Sequence, residues 1–234
     1  MFSGYTDEYD GKKLYKYYSY NDCMDNMFAP VINHTLRYRN PIFFNDPYDC
    51  YIAAKVNGQI QSVRSNQMNG VFVCSLTAIS DAILMWSHYA SNHEGFVIEY
   101  DYEELKKINY QQMEVFSKVI YSDDIIVKDF FSSNAEKAVV QAIFHKSLCW
   151  NYENEIRSVI YNGCKKEEKY IDITLNSNAI SAVLLGSHFI KKREGKIPAF
   201  LKRLHHDKKL YYMQLLSDKY HLEKRNDIKN DWFE

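Results

Sequence analysis

Apolar and polar positions alternate along much of this chain, and short stretches of helical spacing interrupt the alternation. Lys12 to Ser19, KKLYKYYS, is rich in aromatics and predicts a strand. Ser19 and Asp22 read as a variant capping box, opening a short helix that ends near Phe28, before Pro30. TLRYRN predicts a second strand. Asn40 to Cys50, with two prolines, predicts a turn-rich loop. GVFVCSL, residues 70–76, predicts a mostly buried strand. Ser80 is placed to cap a helix carrying Trp86, Ser87, His88 and Tyr89, and GFVIEY follows as a strand. Asp101 and Glu104 form a further capping pattern ahead of YEELKKI.

MEVFSKVIYS predicts one strand. Ala138, Val139, Ala142, Ile143 and Phe144 give residues 134–149 a helical stripe. YENEIRSVIY, KYIDITL, ISAVLLG and LYYMQLL read as strands, and a helix is expected near 194–204. Strands outnumber helices without regular βαβ alternation. The expected class is α+β with mostly antiparallel sheets and short flanking helices. No repeat or low-complexity linker divides the chain, and Gly (8) and Pro (4) are too scarce for long joints. Residues 1–234 therefore read as a single domain, with 1–11 as a flexible N-terminal segment.

Composition narrows the class. A net charge of −1 does not advertise a polyanionic partner. Five cysteines, odd in number and with no C-x-x-C, point to reduced thiols and a cytoplasmic protein rather than a disulfide framework or a zinc site. The polar, acidic first residues are unlike a secretory signal. No apolar run reaches the length of a membrane span.

The residues with chemical potential fall in four places. Period-two alternation in WNYENEIRSVIY puts Glu153, Glu155 and Arg157 on one strand face. One such carboxylate can stabilise a cationic transition state, but spacing alone favours a solvated face with a cross-strand ion pair. On the Trp86 helix, the tryptophan shares a stripe with Ile83 and Ala90 and belongs in the core. His88 and Tyr89 lie toward another side. His88 and His93 are five apart across a helix end, a poor metal spacing. FFNDPYD holds Asn45, Asp46 and Asp49, which serve equally as turn-formers. The basic run from Lys191 to Lys209 reads as a solvated face. There is no G-x-S-x-G, G-x-G-x-x-G or P-loop.

Four ordered motifs carry a resemblance: Leu14 to Ser19, Asn40 to Asp49, Trp86 to Asp101, and Trp150 to Arg157. On these the chain is identified as a member of the domain of unknown function 2971 family of bacterial and phage proteins. The order of parts also resembles the ADP-ribosyltransferase superfamily: an aromatic strand, a mid-chain Ser or Tyr, and a late E-x-E strand. That likeness implies NAD as a substrate without a metal, a macromolecular acceptor (protein or nucleic acid), and a role as a toxin or phage-defence effector. It makes Glu155 the catalytic carboxylate, Glu153 its companion, and His88 and Tyr89 further catalytic groups. Lys16 stands where His or Arg is usual. With Tyr17, Ser75, Trp86, Asn45, Asp46 and Arg157 it completes the implied cofactor-binding set. The implied hollow gathers Lys16, the Trp86 helix and Glu155. A metal-independent ribonuclease using His88, Glu155 and Lys16, and a non-catalytic nucleotide-binding or sensor module, are the alternatives.

Overall fold

Two strands buried on both faces, Phe96–Asp101 and Glu155–Tyr161, organise the chain. The structure is a computed structural model and describes residues 9–62, 68–108, 115–125, 127–129, 135–163 and 168–233. It is α+β, with mixed, mostly antiparallel strand pairing and short helices. No helix among the described residues is long and apolar enough to cross a membrane. The described residues form two compact units, between which the chain passes repeatedly.

The first unit takes in the described residues of Leu36–Leu76 and Asn109–Ile173. Its strands run in the order Tyr170–Thr174, Thr35–Arg39, Val71–Thr77, Glu155–Tyr161 and Val115–Lys118. Beta-branched and aromatic residues supply most of these strands, as a sheet covered by apolar side chains requires. Val71, Val73 and Val159 pack with Val139, Val140, Ile143 and Phe144, so the helix Ala135–Ile143 buries its apolar stripe against the sheet. On the other side of the Glu155–Tyr161 strand, Tyr38 Oη and Ser158 Oγ share a 2.9 Å hydrogen bond.

The alternation in MEVFSKVIYS breaks at Val119. Val115–Lys118 pairs antiparallel with the Glu155 strand, whereas Ile120–Ser122 pairs parallel with His145–Ser147. Residues 113 and 114 of that run lie outside the described residues. The helix expected over 134–149 stops at Ile143, because His145–Ser147 is extended and Leu148–Glu153 winds as a 3-10 helix. A hairpin at Ala53–Val56 and Gln59–Ser62 turns on Asn57-Gly58, both at positive φ, the geometry of a tight hairpin turn.

The second unit holds Gly11–Thr35, Thr77–Ile108 and the described residues of Thr174–Glu234. Its sheet order is Lys13–Tyr18, Phe96–Asp101, Ile180–Leu185, Leu210–Leu215, Leu222–Arg225. Asp101 caps the helix Tyr102–Lys106 by accepting from the Glu104 N–H at 3.1 Å, as its spacing predicts. Ser19 and Ser80 do not cap. The first helix starts at Met24 and the Trp86 helix spans Ile83–Tyr89, with Cys23 and Ala82 at their N-caps and no side-chain cap bond. Asn21 accepts the Cys23 N–H instead. The helix expected at 194–204 does not begin there, because Glu194 and Gly195 have positive φ and Pro198 is extended; helical turns come later, as the 3-10 turn Ala199–Leu201 and the helix Lys202–His206.

Candidate functional site

Glu155 and Arg157 share a strand face in the first unit, as alternation requires, but that face is dry. Arg157 is fully buried and Glu155 is 4% exposed. Arg157 Nε donates to Glu155 Oε1 at 2.7 Å, and its Nη2 reaches Asp49 Oδ1 at 2.7 Å. Nη1 donates to the Ile143 carbonyl at the C-terminus of the helix, where the helix dipole favours a cation. Nη1 also lies 3.3 Å from Cys50 Sγ. Glu153 reaches the same cluster by another route. It ends the 3-10 helix, and Asn154, left-handed at φ 44°, turns the chain into the strand. Lys146 Nζ then bridges Glu153 Oε2 (2.5 Å), Glu155 Oε2 (3.2 Å) and Asp49 Oδ2 (3.5 Å).

The solvated ion pair favoured by spacing is therefore replaced by a buried network. Among the described residues of this network, three carboxylates face two cations. Removing charges from water costs several kcal/mol each unless partners compensate, and here every charge has a partner. Burial by itself would push the Glu155 carboxyl up. Arg157 and Lys146, with hydrogen bonds from Arg157 and Ser75, outweigh burial and hold it well below the usual carboxylate range. Burial likewise works against the Lys146 ammonium, but Glu155 and Asp49 beside it keep its proton bound above the usual lysine range. Burial pushes the Cys50 thiol and the Tyr121 hydroxyl up, so both stay neutral. The Tyr121 oxygen accepts the Glu155 N–H at 2.9 Å.

Lys146 also lines a hollow of about 230 Å³ on this unit. Tyr48 and Tyr51, with ring centroids 5.5 Å apart, form one side, and Asp123, Asp124 and His145 stand around it. Asp46 shapes this side through its turn, accepting the Tyr48 N–H at 2.8 Å, while Asn45 is exposed in the same bend. The His145 ring is anchored by Nδ1, which donates to the Gln141 carbonyl at 2.6 Å.

The other implied residues, Lys16, Tyr17, Trp86, His88 and Tyr89, belong to the second unit. There Trp86 is buried, donates Nε1–H to the Ser80 carbonyl at 2.7 Å and meets Tyr17 edge-on at 5.3 Å. Tyr17 donates to the Ile79 carbonyl. These two rings root the helix, as the apolar stripe predicts for Trp86. His88 is exposed, and the Tyr89 carbonyl accepts from Ser19 Oγ. Lys16 lies opposite Ile98 in the sheet.

After the helix, Ser91, Asn92 and His93 are all left-handed and reverse the chain within three residues. The His93 carbonyl accepts from the His188 N–H, and Gly186 passes so close that a Cβ there would lie 2.0 Å from that oxygen. Ser87 Oγ gives its proton to the Ile83 carbonyl, so it receives one from His93 Nε2 at 3.3 Å. That orientation suits a turn brace and not an activated serine. Burial, then the neighbouring His188, pull the His93 proton affinity below the histidine norm.

Tyr121, His145 and Lys146 complete the first unit's cluster and hollow without any pointer from sequence spacing, whereas Asp49, one of the candidates in FFNDPYD, joins the cluster through Arg157 and Lys146. Lys146 sits in HKSLCW, a stretch that reads as the end of a helix. Only the parallel pairing of His145–Ser147 with Ile120–Ser122 turns it toward the carboxylates. Among the described residues no group of His, Cys, Asp and Glu has the arrangement of a metal site. Cys164 lies outside the described residues.

Residues 85–158 match a family model described as a protein of unknown function, DUF2971. The matched stretch carries the Trp86 helix, Lys146, Glu153, Glu155 and Arg157. No curated protein and no solved structure matches the chain.

Proposed function

We propose that the hollow of the first unit cleaves an N-glycosyl bond with a cationic transition state, that of NAD⁺, and transfers the ADP-ribose to a macromolecule or to water. The observation that supports this reading is Glu155, a carboxylate kept ionised out of water, which does not line the hollow itself but lies 3.2 Å from the ammonium of Lys146, which does. As the bond to nicotinamide breaks, positive charge grows on the ribose carbon. A fixed negative charge in a water-poor site favours that state over the ground state. Both Glu155 oxygens are held by Arg157 and Lys146, so it acts as a preorganised charge and not as a proton carrier. Glu153 and Asp49 add to the field.

Size sets the part of the substrate that enters. At about 230 Å³ the hollow is below the roughly 300–1,000 Å³ of typical ligand pockets. It suits one ring and its sugar, with the remainder of the dinucleotide outside. Tyr48 and Tyr51 offer faces for the nicotinamide ring. Asp123 and Asp124, which also line the hollow, favour a cationic ring inside it.

Nicotinamide release from NAD⁺ by the full chain tests the reading. Release is expected from the wild type and is lost in Glu155→Gln, with far-UV circular dichroism confirming that the variant is folded. A wild-type protein that leaves NAD⁺ intact, with or without cell extract, removes the proposal.

A further inference from the structure

The hollow also holds a histidine beside the charge network. His145 lines it, and the carbonyl of Gln141 can only accept, so the 2.6 Å contact fixes a proton on Nδ1. A histidine whose one nitrogen is tied in this way presents the other, Nε2, as the working atom. The anchor is rigid: Gln141 belongs to the last turn of the Ala135–Ile143 helix, and His145 starts a strand paired with Ile120–Ser122. The next residue is Lys146, whose ammonium is locked to carboxylates and is not available as a base. Tyr48, Tyr51, Asp123 and Asp124 are the other titratable groups around the hollow.

We infer that His145 is the general base of this site, activating the oxygen nucleophile that receives the glycosyl group. The inference rests on the N-glycosyl reading above. Nε2 takes the proton of a water or alcohol O–H as that oxygen bonds to the ribose carbon. The bond from that carbon to nicotinamide breaks, its electron pair stays on the ring nitrogen, and nicotinamide leaves neutral. The work is divided: Glu155 supplies a fixed field, and His145 moves the proton.

The test compares nicotinamide release by wild type, His145→Asn and His145→Gln, with thermal melts of each. A side-chain amide fills much of the imidazole's place but cannot take up the proton. General-base loss lowers kcat by about 10²-fold or more, with KM little changed, and added imidazole restores part of the rate. An unfolded variant cannot be rescued in this way. Free ADP-ribose as product identifies water as the nucleophile; labelled macromolecule from extract supports the role where the new link is to a hydroxyl oxygen, and a link to nitrogen or sulfur overturns it. An active wild type with equally active, folded variants overturns the role of His145 and leaves the N-glycosyl reading standing. A wild type without turnover overturns both.

Discussion

Glu155 Oε1 accepts from Arg157 Nε at 2.7 Å, two residues along the same strand and with both side chains out of water. The same guanidinium holds Asp49, while Lys146 ties Glu155 to Glu153. A charge network of this kind is tolerated only while it is complete, and that dependence gives the first expectation.

Arg157→Met removes one cation and leaves Glu155 and Asp49 buried beside Lys146 alone. The expected loss is about 3–5 kcal/mol, the usual cost of stranding a buried charge. Urea unfolding measures it. A midpoint within error of the wild type shows that the network contributes nothing.

Acid sensitivity follows from Glu155. Its folded proton affinity is depressed, so the unfolded chain binds the proton more readily. The stabilisation is present above the ordinary glutamate value of about 4.3 and is lost as pH falls below it. The urea midpoint should drop steeply from about pH 4.5 downward, and Arg157→Met should flatten that drop. An unchanged slope in the variant contradicts the coupling.

His93 works in the same direction at higher pH. Its folded proton affinity is also lowered, so its contribution is present above the ordinary histidine value of about 6.5 and declines as pH falls through that region. Midpoints at pH 7.5 and 5.5 should differ less in His93→Gln than in the wild type. An equal difference in both proteins assigns the effect elsewhere.

The reversal after the Trp86 helix has no room for a side chain. A Cβ on Gly95 would lie 2.1 Å from the Tyr18 carbonyl oxygen, and one on Gly186 would lie 2.0 Å from that of His93. Gly95→Ala and Gly186→Ala should each cost about 3 kcal/mol or more, since backbone must move. Thermal melts decide, and a shift of under about 1 kcal/mol means that the turn relaxes freely.

Tyr48 is largely exposed and lines the hollow. Tyr48→Ala should leave stability within about 0.5 kcal/mol. Loss of one stacking face, about 0.5–1.5 kcal/mol, should raise KM for NAD⁺ by roughly two- to tenfold. An unchanged KM places the nicotinamide ring elsewhere.

Patterning along the chain determined the class, because side-chain period is a local property. It marked Phe96–Asp101, the Glu155–Arg157 alternation, the Asp101 cap and the core position of Trp86. The Asn57-Gly58 hairpin is legible in the same way, through the turn chemistry of that pair. Glu153 shows where period fails: it reaches Lys146 because a left-handed Asn154 redirects the chain, not because it shares a strand face. Tertiary structure alone decided that Glu155 and Arg157 are dry and that Asp49 and Lys146 are their partners. Burial and long-range pairing depend on what covers a face, and no local spacing encodes that.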